Sequence, residues 1–137
     1  MFNIFDIAGS GMSAQTLRLN TTASNMSNAE TPASTAETAY RARYPIFKAI
    51  AEQHGLKADQ GNVAVEVTGI YESTAAARKL FQPGHAMADK EGFVYLPNVN
   101  VVEEMANMIS ASRSYQMNVQ VMNTAKSLMQ KTLQLGE

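Results

Sequence analysis

The longest uninterrupted pattern in the chain lies near its C-terminal end, where residues 98–135 contain neither Gly nor Pro. Side chains recur there at alternating spacings of three and four residues, mostly apolar or aromatic, which predicts an amphipathic helix with a heptad seam. The seam consists of Met105, Met108, Ser112, Tyr115, Val119, Met122, Lys126, Met129 and Leu133. A second apolar line, on a different face, consists of Val121, Leu128 and Leu135.

Both ends of this helix carry recognisable signals. Asn100 is a suitable N-cap, and Glu103 stands three residues later, as in an Asn version of the capping box. Glu103 and Glu104 add negative charge to the first turn, where the helix dipole favours it. Gly136 follows Leu135, where a helix is expected to stop. The pattern therefore predicts a helix over 98–137.

A second helix is predicted at the N-terminal end of the chain, over 1–30. Its heptad-like stripe consists of Phe5, Ala8, Met12, Gln15, Leu19, Thr22 and Met26. Gly9 and Gly11 weaken this helix by about 1 kcal/mol each relative to Ala. The following stretch is polar and contains Pro32, so we expect the helix to fade near Asn28 and residues 31–39 to form a linker.

Between the two helices the hydrophobic pattern changes to a period of two, which is typical of half-buried strands. Tyr40, Ala42 and Tyr44 alternate with arginines, and the segment "NVAVEVTGIY" places three valines on one face. "GFVYLP" is a third short strand candidate, and "QPGH" at Gln82–His85 is a strong turn signal. Residues 40–97 thus form a small β-rich module, and the predicted fold class is α+β.

The length of the C-terminal helix is its most informative property. From Val101 to Leu135 it extends about 50 Å at 1.5 Å per residue. A compact globule of this chain length has a diameter of roughly 35–40 Å. The stripe has two explanations: ordinary core packed against the N-terminal helix, or a surface for assembly with other chains. We favour assembly, because the second apolar line has no mate in a simple helix pair.

Composition and residue types argue against several other functions. A net charge of −1 without a basic cluster does not suit nucleic-acid binding. There is no Cys, so disulfides and thiolate chemistry are excluded. No stretch approaches the roughly 18 apolar residues that span a bilayer, and no basic n-region precedes the first apolar residues, so we expect no cleavable signal peptide. His54 and His85 lie in predicted turns without metal-ligand spacing. We predict no catalytic residues, no metal and no cofactor.

Two motifs resemble those of the bacterial flagellar axial proteins. "TASNMSNAETP", from Thr22 to Pro32, is similar to the N-terminal signature of that family, in which an Ala/Asn-rich run ends in Thr-Pro. Asn25, Asn28 and Thr31 match the signature, whereas two serines in the run depart from it. The segment from Pro97 to Leu133 resembles the C-terminal helix of the basal-body rod proteins. "FDIAGSGMSAQ" and "QPGHAMADKEGFVYLPNV" also match, so the resemblance covers nearly the whole chain.

The departures from the family pattern are small. Asn100 stands where the family commonly has Asp, and either side chain can cap a helix. Ala86 stands where Pro is usual, which is expected to loosen that turn.

This resemblance implies a structural subunit of the flagellar proximal rod. In the family, the two terminal segments pair as a coiled coil near the rod axis and the β-rich part lies outside. The implied partners are copies of the same subunit, other rod proteins, and basal-body ring and export-gate components, with no nucleic acid and no direct membrane insertion. The implied location is the periplasmic rod, reached through the flagellar type III export system.

We expect the assembly interface to lie on both helices. On the N-terminal helix its residues are Phe5, Met12, Leu19, Asn25, Met26 and Asn28. On the C-terminal helix they are Met105, Met108, Tyr115, Val119, Val121, Met122, Leu128, Met129, Leu133 and Leu135. Three alternatives stay open at this point: another axial subunit of the same apparatus, a cytosolic coiled-coil adaptor, and an enzyme. The residue inventory makes the enzyme the least favoured of them.

Overall fold

Two long helices flank four strands along the chain in the computed structural model, which describes residues 2–51 and 63–136. In chain order the elements are α1 (Phe2–Asn28), β1 (Arg43–Ala51), β2 (Val63–Glu72), β3 (Arg78–Phe81), β4 (Phe93–Leu96) and α2 (Val101–Leu135). The strands form two separate antiparallel pairs, β1 with β2 and β3 with β4. This arrangement is an α+β fold, as the pattern predicts.

The predicted N-cap of α2 is confirmed. Asn100 has an extended backbone, and its side-chain oxygen accepts hydrogen bonds from the backbone N–H groups of Val102 (3.1 Å) and Glu103 (3.4 Å). These bonds satisfy two of the donors that the start of a helix leaves unpaired. At the other end the N–H of Gly136 donates to the carbonyl of Leu133. The helix therefore has defined limits at both ends.

The two helices lie side by side and run antiparallel. A Cβ built at Gly11 would stand 2.8 Å from Nδ2 of Asn118, and Asn25 bonds to Glu104. The two contacts are fourteen residues apart on each helix, with opposite chain directions. Between them Arg18 donates to the side-chain oxygen of Asn107 at 3.0 Å. Small and polar residues thus form the contact between the helices.

The residues that α2 buries within the chain lie beside the predicted heptad seam. They are Glu104, Ala111 and Ala125, each one position before a seam residue. Small side chains let two helix backbones approach closely, so the larger apolar side chains move to the flanks. In the seam line of Met108, Tyr115, Met122 and Met129, the three methionines are half-buried and Tyr115 is 37% exposed.

The buried residues of α1 are small or polar, namely Ala8, Ala14, Thr21, Thr22 and Asn25. Ala8 and Thr22 belong to the predicted stripe, so one line of that stripe does face inward. The large apolar residues of the predicted stripe lie half-buried on the flank, and they are Phe5, Met12, Leu19 and Met26. Apolarity alone identified the right sector of each helix but not the line that makes the closest approach.

The β1–β2 hairpin packs along α1. Ser10 of α1 fixes it, because the N–H of Val65 donates to the Ser10 hydroxyl at 3.1 Å. The register shifts between Ile46 and Phe47, which pair with Gly69 and Val67 and leave Thr68 as the extra residue of a bulge. Gly69 therefore lies beside this bulge, inside β2.

The strand β3 has no counterpart in the predicted elements. Its sequence, Arg-Lys-Leu-Phe, lacks alternation, and all four side chains are exposed. It forms because Phe93–Leu96 offers a pairing edge, and β4 occurs where the pattern predicted it. The predicted turn at Gln82–His85 is present and is closed by a bond from the His85 N–H to the Gln82 carbonyl. His54 and the glycines at 55 and 61 lie outside the described residues.

Gly9 and Gly11 make a matched pair for testing the helix contact. Gly9 has open space around it, whereas all three terminal atoms of the Asn118 side chain lie within 3.3 Å of a Cβ at Gly11. We expect Gly11→Leu to lower the free energy of unfolding by about 1–3 kcal/mol through overpacking. Gly9→Leu is expected to be neutral or to raise it by up to about 1 kcal/mol, because a helix interior disfavours Gly. Urea denaturation followed by circular dichroism measures both, and equal effects would contradict the proposed close approach.

Candidate functional site: polar junction and exposed helix faces

A buried polar cluster joins the two helices to the first strand. Its centre is Asn25, which is 0% exposed. The Asn25 side-chain oxygen accepts from the Tyr40 hydroxyl and from the N–H of Arg43, both at 2.9 Å. Its Nδ2 donates to the Arg43 carbonyl at 3.0 Å and to Glu104 at 3.2 Å. The amide thereby uses both donors and both acceptor sites within its own chain.

Glu104 is the second member of this junction and is 1% exposed. Its Oε1 accepts from the Tyr44 hydroxyl at 2.9 Å and its Oε2 accepts from Asn25. Among the described residues the one ion pair joins Arg43 and Glu72, so no cation neutralises Glu104 there. Its place in the first turn of α2 gives it the favourable end of the helix dipole. Burial, followed by the hydrogen bond to Glu104, raises the pKa of Tyr44 to about 12.

The sequence pattern assigned Glu104 only to the helix start and missed its burial. One signal was available: Glu104 stands four residues before Met108 and seven before Ala111, which puts a carboxylate on the inward side of the helix. Its partner Asn25 was expected at the assembly interface, but the structure buries it and bonds it within the chain. Asn28, half-buried, donates to the carbonyl of Ser24 in its own helix.

The remaining predicted interface residues lie on the flanks and outer faces of the helix pair. Val119 is half-buried. The exposed members, with their exposed fractions, are Tyr115 (37%), Met105 and Val121 (49%), Leu128 (58%), Leu133 (68%) and Leu135 (89%). Val102, Ile109 and Met117, which were not predicted, extend this apolar surface. The chain exposes 9551 Å² in all, whereas a compact monomer of its mass exposes roughly 7000 Å².

Within residues 2–51 and 63–136, no three carboxylate or imidazole side chains group so as to hold a metal ion. Nδ1 of His85 accepts from the N–H of Met87 within its own turn. Over the same ranges, neither helix combines the length and apolarity that crossing a bilayer requires. The arrangement is a buried hydrogen-bonded cluster that joins the two helices, beside an exposed apolar surface on α2.

Comparison with known proteins identifies two family matches. Residues 5–32 match the family described as flagella basal body rod protein. Residues 90–135 match the family described as flagellar basal body rod FlgEFG protein C-terminal. The two matched segments contain most of α1 and all of α2.

Relatives match over nearly the full length of the chain. The flagellar basal-body rod protein FlgC of Yersinia enterocolitica is 51% identical over 137 residues, covering 100% of this chain and 98% of that protein. The protein of the same name from Salmonella typhimurium is 45% identical with the same coverage. That from Aquifex aeolicus is 36% identical over 98% of this chain and 96% of its own length.

The junction provides two predictions. Asn25→Asp replaces the Nδ2 donor by a second carboxylate oxygen facing Glu104 and the Arg43 carbonyl. We expect the free energy of unfolding to fall by about 3 kcal/mol or more, because buried acceptors then face one another without a proton. The exposed Asn20→Asp makes the same chemical change on the same helix and is expected to cost less than about 1 kcal/mol. Denaturation midpoints compare the two, and similar losses would refute the junction.

The second prediction concerns Tyr44 and pH. The phenol ionises at a pKa near 10 when the chain is unfolded and about 12 when it is folded. The folded state therefore binds the proton more tightly, and stability is expected to fall as pH rises between those values. Tyr44→Phe removes this loss, while at neutral pH it costs about 1–3 kcal/mol because Glu104 loses a donor. Urea midpoints across the alkaline range would overturn this assignment if both proteins declined in parallel.

Proposed function

This chain belongs to the FlgC family of flagellar basal-body rod proteins, and on that premise we propose that it builds the proximal rod by packing its two helices against those of neighbouring axial subunits. Membership itself makes it a structural subunit of the basal-body rod, a part of the machinery of motility. The relatives bear the name of a structural protein rather than of an enzyme.

The observation that carries the packing proposal is the uncovered apolar surface of α2. Leu128, Leu133 and Leu135, all on α2, are each more than half exposed. Large exposed apolar patches of this kind mark protein interaction sites. The small-residue contact between α1 and α2 leaves the larger apolar side chains on the flanks. Helices of neighbouring subunits pack there, and helical pairing is completed as a coiled coil only within the rod.

The helices and the β-rich module have different places in the proposed rod. The helices over 1–30 and 98–137 make the axial layer, and the module over 40–97 lies outside it, with 31–39 as the linker. The interface residues are those with free apolar surface, above all Met105, Val121, Leu128 and Leu133. Asn25 acts instead from the interior, because it holds the two helices at a fixed position relative to β1.

Location and delivery are proposed from family membership. The subunit occupies the periplasmic part of the basal body and passes through the flagellar type III export system. Its partners are other rod proteins and copies of itself, with ring and export-gate components as further contacts. The absence of Cys suits a chain that crosses unfolded into an oxidising compartment.

A charge on the exposed face of α2 tests this function. Leu128→Glu is expected to abolish swimming and to leave export of the subunit intact, because the side chain is exposed in the free chain but buried by a neighbour in the rod. Gln130→Glu, which adds the same charge at an exposed polar position of the same helix, is expected to swim normally. The measurements are swim-zone diameter and detection of the subunit in the export fraction.

Met122→Glu is expected to block assembly as well, but Met122 is half-buried beside α1. Loss of swimming in that variant alone therefore does not distinguish misfolding from a lost interface. Deletion of the chain followed by isolation of basal bodies tests the role itself. Arrest before the rod is complete is the expected result, and complete basal bodies would contradict it.

A further inference from the structure

A cleft where the helix pair meets β1 contains an arginine that is half-buried. This cleft, which we call the Arg18 cleft, has a volume of about 350 Å³. Its lining comes from three elements: Arg18 and Thr22 of α1, Tyr44, Pro45 and Phe47 of β1, and Asn107 of α2. Arg18 is the only charged residue of α1 after Asp6. The cleft therefore places a single positive charge along the side of the helix pair.

The guanidinium of Arg18 has unused capacity for hydrogen bonds. Its Nη2 donates to Oδ1 of Asn107 at 3.0 Å, whereas a guanidinium has five N–H donors. Within residues 2–51 and 63–136 the one ion pair joins Arg43 and Glu72, so no carboxylate in those ranges neutralises Arg18. A cation that is partly removed from water is stabilised when a carboxylate pairs with it. The side chain thus has the donors and the charge to bind an acid from outside.

Two acidic residues of α2, Glu103 and Glu104, lie near Tyr44 at the edge of the cleft. Both oxygens of Glu104 already accept hydrogen bonds, one from Tyr44 and one from Asn25. Glu103 is exposed, and neither glutamate forms an ion pair with Arg18. Their negative charge limits what the cleft can accept. A single carboxylate suits it better than a phosphate group, which brings nearly two negative charges.

The walls of the cleft favour an acid that has an apolar neighbour. Pro45 and Phe47 are apolar, and Phe47 is 39% exposed. The hydroxyl of Tyr44 is already bonded to Glu104, so the cation in the lining is Arg18. An ion pair is stronger where apolar groups lower the local dielectric constant. An apolar side chain beside the acid would also cover the exposed part of Phe47.

We propose that the Arg18 cleft receives an Asp or Glu side chain from a neighbouring protein of the rod, with an apolar residue next to that acid. The guanidinium donates two parallel hydrogen bonds to the incoming carboxylate, a geometry that Arg provides and Lys does not. Asn107 holds the guanidinium in place from the other side. The inference rests on the proposed function and adds the chemistry by which one neighbour is recognised at the side of the helix pair.

A cross-link without a spacer tests this contact. Arg18→Lys keeps the positive charge and supplies a primary amine, which a carbodiimide joins to a carboxylate in direct contact. Basal bodies carrying this variant would be isolated, treated with carbodiimide and analysed by peptide mass spectrometry. The expected product is an amide between position 18 and an Asp or Glu of another molecule, beside an apolar residue. Arg41→Lys, at an exposed position outside the cleft, is the control and is expected to give no such amide.

Removal of the charge supplies a second readout. Arg18→Gln is expected to lower the amount of this subunit retained in isolated basal bodies about tenfold, the effect of a lost hydrogen bond to a charged group. Asn107→Ala removes only the internal acceptor of Arg18 and is expected to retain most of the subunit. Equal losses in the two variants would mean that Arg18 serves only the contact between the helices, and the proposal would be overturned.

Two results of the cross-linking would also overturn it. One is an amide between position 18 and Glu103 of the same molecule, since the acid would then come from within the chain. The other is normally assembled basal bodies in which position 18 forms no amide. Either result refutes this contact alone, whereas complete basal bodies in the deletion strain would refute the proposed function.

Discussion

The hydrogen-bonded contact between Asn25 and Glu104 is the interaction on which the rest of this structure depends. It joins residues 79 positions apart in sequence and, through Arg43 and Tyr44, includes the start of the first strand. A buried amide and a buried carboxylate are stable only when their hydrogen bonds are all made. The contact therefore allows one register between the helices, and that register determines where each end of the pair lies.

The small residues between the helices have a consequence for assembly. Gly11, Ala111 and Ala125 bring the two backbones close, and the chain uses little of its apolar surface to do so. Methionines and leucines remain on the flanks and outer face. A globular protein would bury these side chains in its own core. In the proposed rod packing they contact neighbouring subunits, so the isolated chain and the assembly would be stabilised by different residues.

The β-rich part is attached to this helical frame at a few defined points. Ser10 bonds to β2, and the isolated bridge between Ala33 and Tyr95 ties the segment after α1 to β4. Ala29, Ala42 and Val99 form the small apolar cluster beneath the junction, with Tyr44 packed against it. Each attachment lies near one end or one side of α1. Among the described residues, these attachments do not involve the exposed flank of α2, which is the surface proposed for packing in the rod.

The sequence by itself determined the elements, because their signals are local. The two helices, the cap at Asn100, the turn at Gln82–His85 and the strand before Pro97 follow from periodicity and from residue types within a few positions. The family follows from motifs in the same way. The length of α2 also indicated correctly that its apolar surface exceeds what one small chain can bury.

Only the tertiary structure decided which line of each helix faces the other. The count of apolar residues favoured Met105 and Val119, but the closest approach depends on the side-chain volumes of both helices. Gly11 has no side chain, and this leaves room for the side chain of Asn118 on α2. The burial of Glu104 depends on Tyr44 and Asn25, which lie far away in sequence, and β3 depends on an edge that β4 provides. These are properties of pairs of distant residues, so no local pattern contains them.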